Sequence, residues 1–193
     1  MARTREFCPS EALDKAMRVF WAKGYFGTSI DDLVSATGVS RYGLYGAFGD
    51  KNGLFLAALE HYQASVVRPM LDIIGQPGAS LPALRALFAM LAEFSRQPGG
   101  KLGCLVFNAV NEMGLHDEAT VGKILEVRQQ LAQGILDMLG NAVAKGELPP
   151  GFDLRREADF LFGVLHALPL MARAGAGDQA IDNVVSVALS TLG

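Results

Sequence analysis

Residues 38–51 of this 193-residue chain read GVSRYGLYGAFGDK and carry the clearest indication of its fold. Glycines are interspersed with aromatic residues here, although glycine weakens a helix and aromatic side chains favour burial. A segment that served only to support a core would gain nothing from this combination. We therefore interpret the stretch as a surface that lies against another molecule.

A helix-turn-helix motif is predicted around this stretch. Thr28 or Ser29 can cap a first short helix that stops at residues 37–38. The second helix is predicted from about Ser40 to Phe48, and in such a motif it enters the major groove of DNA with its N-terminal end first. A plain helical hairpin whose tyrosines merely pack is the alternative.

The outward positions of the second helix are the predicted DNA contacts. Arg41 can pair with a guanine edge or a phosphate, Tyr42 can offer its ring to a thymine methyl group, and Tyr45 can donate its hydroxyl to a phosphate. Two further positions stand at the starts of flanking helices, where backbone amides and the helix dipole favour a phosphate. The predicted contacts are Thr28, Ser40, Arg41, Tyr42, Tyr45 and Lys51.

The run KGYFGTSIDDLVSATGVSRYGLYGAFGDKNGLF, residues 23–55, closely resembles the DNA-binding region of TetR-family transcriptional repressors. The likeness lies in the KGY start, the GVS middle, the LY..F end and the GDK continuation, and it extends back through residues 12–20. It implies that the six residues above contact DNA. The chain departs from the family pattern at Gly43 and at residues 46–47, which leaves fewer side chains for base readout.

The charge distribution along the chain is compatible with nucleic-acid binding but does not by itself indicate it. The chain has a net charge of −3, but its first 51 residues hold seven Lys/Arg against six acids. Two of these cations, Arg3 and Arg5, lie in an N-terminal segment that is either a flexible arm on DNA or a solvated end.

Metal, cofactor and membrane chemistry are not expected. Cys8 and Cys104 lie far apart and outside any CxxC spacing. The three histidines are scattered, so neither a metal site nor a cofactor is predicted. No apolar run is long enough to cross a bilayer, and the N-terminus lacks the apolar core of a signal peptide. We expect a cytoplasmic protein with no membrane partner.

Helical periodicity dominates the chain, and no alternating strand pattern occurs. An all-α fold is predicted, with a three-helix helix-turn-helix domain over residues 1–52. The resemblance implies that the helical domain over residues 53–193 binds a ligand and dimerises. Gly/Pro-rich breaks divide the later chain into predicted helices at about residues 51–74, 80–96, 102–114, 117–145, 153–173 and 178–192.

The apolar content indicates more buried surface than a monomer needs. Apolar residues make up 50% of the chain and charged residues only 19%, which suits a permanent dimer interface or an apolar cavity. From Phe160 the helix at residues 153–173 is apolar on nearly every face and is expected to be buried all round. With residues 181–192 it would form half of a four-helix homodimer interface, as in the family, and Pro169 would kink or end it. An internal core helix is the alternative.

The segment GCLVFNAVNEMG, residues 103–114, supplies the candidate ligand pocket. Its polar side chains fall near one face of an apolar helix, and a few such groups can orient an apolar ligand. Asn111 and Glu112 could instead bridge to the DNA-binding domain or cap a loop. Cys104 is either a reactive sensor or a small buried thiol. The candidate pocket residues are Phe88, Leu91, Cys104, Phe107, Asn108, Asn111, Glu112, Phe160 and His166.

The leading functional hypothesis is a homodimeric repressor that binds a palindromic double-stranded DNA operator and is released by a small-molecule inducer of unknown identity. A small enzyme is the rival, with Cys104 as nucleophile and His166 or His116 as base. Glu112 would orient that base. A third hypothesis is a ligand-binding module that has lost specific DNA binding. The glycines of the second helix are compatible with it, because they leave fewer side chains for base readout.

Overall fold

The structure, a computed structural model, describes residues 7–193. Within this range there are ten α-helices and no strand, which confirms the all-α prediction. The helices are α1 Pro9–Lys23, α2 Ile30–Thr37, α3 Arg41–Phe48, α4 Lys51–Tyr62, α5 Arg68–Ile74, α6 Leu81–Arg96, α7 Leu105–Val110, α8 Glu118–Ala144, α9 Leu154–Arg173 and α10 Asp178–Ser190.

Three irregular turns complete the helical chain. A π-helical turn, Gln63–Val67, joins α4 to α5, and 3₁₀ turns cover Gly100–Leu102 and Met113–Leu115. The predicted N-terminal arm, with Arg3 and Arg5, lies outside the described residues. None of the described helices has the length and apolar character needed to span a bilayer.

Side-chain caps fix the starts of the helix-turn-helix. Ser29, and not Thr28, caps α2: its hydroxyl accepts the Asp32 amide at 3.1 Å, and the Asp32 carboxylate accepts the Ser29 amide at 2.9 Å. The Ser40 hydroxyl caps α3 in the predicted place. Between the two helices Gly38 adopts a φ of 73°, a left-handed conformation that suits glycine and ends α2.

The fourth helix is shared between the two halves of the chain. It packs against α1 and α3 on one side and contacts α7 and α8 on the other. Phe20, Leu33, Leu44 and Phe55 are fully buried in the N-terminal half of this packing. Since α4 begins at Lys51, the predicted boundary after residue 52 falls inside a helix that serves both sides.

The C-terminal half is built around α8, which packs against α5, α6 and α9, while α10 packs on α6 and α9. Phe88, Ile135, Met138 and Leu161 are fully buried there. The bounds of α6, α8, α9 and α10 follow the predicted ranges closely, because Gly/Pro-rich breaks or, at the start of α8, the Asp117 cap mark their ends.

One predicted helix is wrong in its length, and one of the two alternatives for Pro169 is excluded. The helix predicted over 102–114 is reduced to α7 and two flanking turns, because Gly103 adopts a φ of 79° and a ψ of −147° that no helix continues. Pro169 does not end α9, which continues to Arg173. Proline removes one hydrogen bond from the ladder, but Leu168 and Ala172 on either side are buried and hold the last turn in place.

Candidate nucleic-acid interface and cavity

The N-terminal end of α3 presents exposed side chains. Tyr42 is 90% exposed, and Ser40 and Arg41 beside it are also exposed. On the opposite side of the helix, Leu44 is fully buried and anchors α3 to the core. The exposed residues are therefore held on a fixed support, since α3 is capped at its start and buried along one side.

Arg41 and Tyr45 lie next to each other on this surface. The Arg41 guanidinium carbon is 5.4 Å from the centre of the half-buried Tyr45 ring, a cation–π distance. Across residues 7–193, Arg41 forms no ion pair with another described residue. Its charge is thus available to an external phosphate or guanine.

The two glycines of α3 have different surroundings. A Cβ on Gly46 would meet no atom of residues 7–193 within 4 Å, so among these residues the position leaves the helix surface open. A Cβ on Gly43 would lie 2.8 Å from Cγ1 of Val39, too close for an ordinary contact. The departure from the family pattern at Gly43 therefore reflects packing against the turn, whereas Gly46 lowers the exposed surface.

Thr28 and Lys51 are not among the exposed side chains. Thr28 is 1% exposed and its hydroxyl donates to the Gly24 carbonyl at 2.6 Å, so its side chain is engaged within the domain and its contact with DNA stays a prediction. The Lys51 ammonium lies 4.3 Å from the centre of the Tyr25 ring, and burial lowers its pKa. Lys51 is therefore held against Tyr25 at the start of α4.

Glu112 joins the two halves of the chain. Its carboxylate accepts the backbone amides of Tyr25 at 3.0 Å and Phe26 at 3.4 Å, in the loop between α1 and α2. These contacts are the bridging role considered as the alternative for Glu112. Asn111 beside it is exposed at the end of α7, and neither residue lines the cavity described below.

His116 completes this junction. Its side chain is 1% exposed and stacks on Phe55 with ring centres 5.3 Å apart. Neither ring nitrogen has a hydrogen-bond partner within the part of the chain that the structure describes. Burial lowers the pKa of His116, while the Glu112 carboxylate at 3.7 Å and Asp117 act in the opposite direction.

A narrow apolar cavity lies inside the C-terminal half. Its volume is about 20 Å³, roughly the space of one water molecule. No charged side chain lines it. The lining residues are Tyr62, Val67, Met70, Leu91, Phe94, Gly103, Cys104, Val106, Phe107, Val127, Leu131, Leu165 and Pro169.

Three predicted pocket residues line this cavity: Leu91, Cys104 and Phe107. Phe160 does not, because it is 43% exposed on α9, and Phe88 does not, because it is fully buried elsewhere in the core. The packing of their helices therefore places these two side chains outside the lining of this cavity.

Two more predicted pocket residues lie outside the cavity lining. The Asn108 amide donates to the Leu102 carbonyl at 3.0 Å and so satisfies the turn before α7. His166 stacks on Phe107 with ring centres 4.1 Å apart, so it supports the cavity wall from behind.

The lining residues of α4 and α5 were not predicted. Tyr62, Val67 and Met70 line the cavity at the point where the π turn interrupts the regular helix between α4 and α5. Pro69, inside a run predicted as one continuous helix, is the sequence signal for such a break.

The Cys104 thiol has the character of a buried group. Burial raises its pKa, and the Tyr62 hydroxyl lies within hydrogen-bonding range. His166 stacks on Phe107, and His116 packs against Phe55, so neither histidine is seen paired with the thiol. These surroundings favour the thiol form over the reactive thiolate.

Family models match both halves of the chain. The model of the tetR family of bacterial regulatory proteins matches residues 12–58, and the model of the tetracyclin repressor-like C-terminal domain matches residues 80–188. The chain belongs to the TetR family. The resemblance of residues 23–55 is thereby confirmed, and so is the arrangement of a helix-turn-helix domain followed by a helical domain.

Relatives of this TetR-family protein are similar over their full length. The HTH-type transcriptional repressor ComR of Escherichia coli (strain K12) is 31% identical over 98% of this chain and 90% of its own. The HTH-type transcriptional regulator YezE of Bacillus subtilis (strain 168) is 30% identical over 100% of both chains. A cysteine mutant of the TetR-family regulator CifR, complexed with 26-base-pair operator DNA, superposes with a TM-score of 0.84 at 28% identity over 98% of both chains.

Proposed function

We propose that this TetR-family regulator is a cytoplasmic repressor that binds a palindromic operator as a homodimer and is released by a small apolar effector. The observation that carries the proposal is the exposed N-terminal end of α3, where Arg41 and Tyr42 project from a capped and anchored helix. The operator complex of CifR supports the same use of this domain here.

Arg41 and Tyr42 would read base edges, while Ser40 and Tyr45 would contact the backbone. An arginine can bond two acceptors of guanine at once, and a tyrosine ring can pack on a thymine methyl group. Lys51, at the N-terminus of α4, would add a phosphate contact where the helix dipole already favours an anion. Thr28 would contribute through its backbone position only, since its hydroxyl is engaged with Gly24.

Exposed apolar side chains on α9 and α10 support the homodimer. Phe160, Leu170 and Val187 are 43%, 58% and 65% exposed, and residues 160–172 contain no Asp, Glu, Lys or Arg. Since α9 and α10 pack side by side, these exposed apolar side chains lie on neighbouring helices. A second copy of the chain would cover this surface and place two α3 helices in successive major grooves.

The cavity lining indicates the class of effector. Its walls are apolar, and its hydrogen-bonding side chains are Tyr62 and Cys104. An ionised effector would lose its hydration without gaining a partner, so a neutral apolar molecule fits best. Because the cavity holds about 20 Å³, the effector must move a wall in order to enter.

The catalytic alternative has less support. A nucleophilic cysteine needs a lowered pKa, whereas burial raises that of Cys104. The curated relatives ComR and YezE are also described as transcriptional regulators.

Selection of binding sites from a random duplex library, at physiological salt, tests the proposal. Enrichment of a two-fold symmetric sequence is expected. Salt-sensitive binding with no enriched sequence would mean that the protein contacts only phosphates. The hypothesis of a ligand-binding module without specific DNA binding would then replace the proposal.

A further inference from the structure

The turn before α7 is attached to the DNA-binding domain. The indole of Trp21, near the end of α1, donates to the Gly103 carbonyl at 3.1 Å. Arg173, at the end of α9, donates to the Leu102 carbonyl at 3.0 Å, the Ala22 carbonyl at 3.2 Å and the Trp21 carbonyl at 3.3 Å. One guanidinium therefore joins the C-terminal end of α1, the turn and α9.

The other end of the same segment is attached as well. Glu112 accepts the amides of Tyr25 and Phe26, in the loop that leads to α2. The fit is close, because a Cβ on Gly24 would lie 2.7 Å from the carboxylate oxygen. Residues 102–112 thus contact the DNA-binding domain at both ends, through Trp21 and Arg173 at the start and Glu112 at the end.

Between these two attachments the segment forms a wall of the cavity. Gly103, Cys104, Val106 and Phe107 all line it. A molecule larger than water can enter the space of about 20 Å³ only if a wall moves, and close-packed interiors pass displacements on rather than absorb them. Movement of this wall would pull on Trp21 and on the loop at Tyr25 together.

We propose that residues 102–112 are the element that couples the cavity to the DNA-binding domain, with the Arg173 and Glu112 contacts as its two attachments. The proposal rests on the proposed function and assigns its regulation to named contacts. Displacement of the cavity wall shifts the α1–α2 loop and, through it, α2 and α3. Without the Arg173 and Glu112 contacts, displacement of the cavity wall no longer shifts α3.

Overpacking of the cavity can stand in for the unidentified effector. Val127, on α8, is 2% exposed and lines the cavity, so Val127→Phe places a larger side chain in the cavity wall. The readout is amide hydrogen exchange at residues 25–29 and 41–48 in the free protein. Fluorescence of Trp21, the only tryptophan, reports whether the disturbance has reached the junction.

The test compares three backgrounds for Val127→Phe. The first is the wild-type chain, and the second carries Arg173→Lys with Glu112→Gln, which keep much of each side chain's volume and weaken its hydrogen bonds. The matched control carries Arg155→Lys with Glu118→Gln, at exposed positions near the starts of α9 and α8. Where Val127→Phe prevents folding, the more adaptable Val127→Met replaces it.

We expect Val127→Phe to change exchange in α3 by at least about fivefold in the wild-type and control backgrounds, the lower end of ordinary coupling. The change should fall below about twofold when both attachments are weakened. Equal changes in all backgrounds, or none with the attachments intact, overturn the proposal. Because no DNA is present, failure of the protein to bind any duplex would overturn the proposed function separately.

Discussion

The carboxylate of Glu112 caps the backbone amide of Tyr25 at 3.0 Å, across the junction between the two halves of the chain. We expect Glu112→Ala to lower the free energy of unfolding by about 1–3 kcal/mol, because it leaves the amides of Tyr25 and Phe26 without their partner. Urea unfolding followed by circular dichroism measures this. Glu118→Ala, at an exposed position, is the control, and an equal effect of both variants would contradict the assignment.

Arg41 is expected to contribute to sequence-specific binding more than to non-specific binding through the DNA charge. Arg41→Ala should weaken binding to the selected operator by about 5- to 150-fold, the range expected for a bidentate base contact. Binding to a scrambled duplex should weaken far less. Fluorescence anisotropy on both duplexes gives the comparison, with Arg155→Ala as the control. An equal loss on the two duplexes would reduce Arg41 to a phosphate contact.

The glycines of α3 should respond in opposite directions to alanine. Gly46→Ala should stabilise the free protein by about 0.5–1 kcal/mol, because its Cβ meets open space, yet weaken operator binding. Gly43→Ala should destabilise the protein, because its Cβ would meet Val39 at 2.8 Å. Unfolding and anisotropy measurements on the same samples separate the two effects. Unchanged operator affinity in Gly46→Ala would show that close approach at this position is not used.

His116 should make folding sensitive to acid. Burial lowers its pKa in the folded chain, so its contribution to stability is present above its unfolded pKa of about 6.5 and is lost as the pH falls through the folded value. His116→Phe keeps an aromatic ring against Phe55 and removes the titration. Urea unfolding at about pH 7 and about pH 5 should then show a smaller acid loss in the variant than in the wild type. Equal losses would place the acid sensitivity elsewhere, for example at His166, whose pKa burial also lowers.

The two cysteines should differ in reactivity. Cys8 is exposed and the Ser10 hydroxyl lowers its pKa, whereas burial raises the pKa of Cys104. In the single-thiol variants Cys104→Ser and Cys8→Ser, iodoacetamide at neutral pH should alkylate Cys8 at least about tenfold faster than Cys104. Rapid alkylation of Cys104 would contradict this expectation and would support a sensor or catalytic role for the thiol.

The sequence predicts the DNA-contacting half more fully than the cavity. The starts of helices near Ser40 and at Lys51 and the break at residues 37–38 depend on neighbours a few residues away, and periodicity with its Gly punctuation reveals such local relationships. The choice of Ser29 over Thr28 as the cap of α2 needed the structure, because the Thr28 hydroxyl donates to Gly24 and residue type alone does not settle this.

The cavity depends on contacts between distant segments. Tyr62 and Leu165 meet across it, although about half of the chain separates them. The amphipathic pattern predicts that both side chains are buried. It does not predict which buried side chains surround a cavity. The Phe160 assignment failed for the same reason, since an apolar residue on α9 can face the core or a partner chain, and in a single chain it faces outward.

Operator recognition by α3 is tested first by the affinity of the purified protein for its selected duplex and for a scrambled duplex of the same length and composition at physiological salt. We expect the selected duplex to bind at least about 1,000-fold tighter, with two chains per palindrome, as expected for a sequence-specific regulator. Equal affinities that decline together with rising salt would contradict sequence-specific recognition by α3.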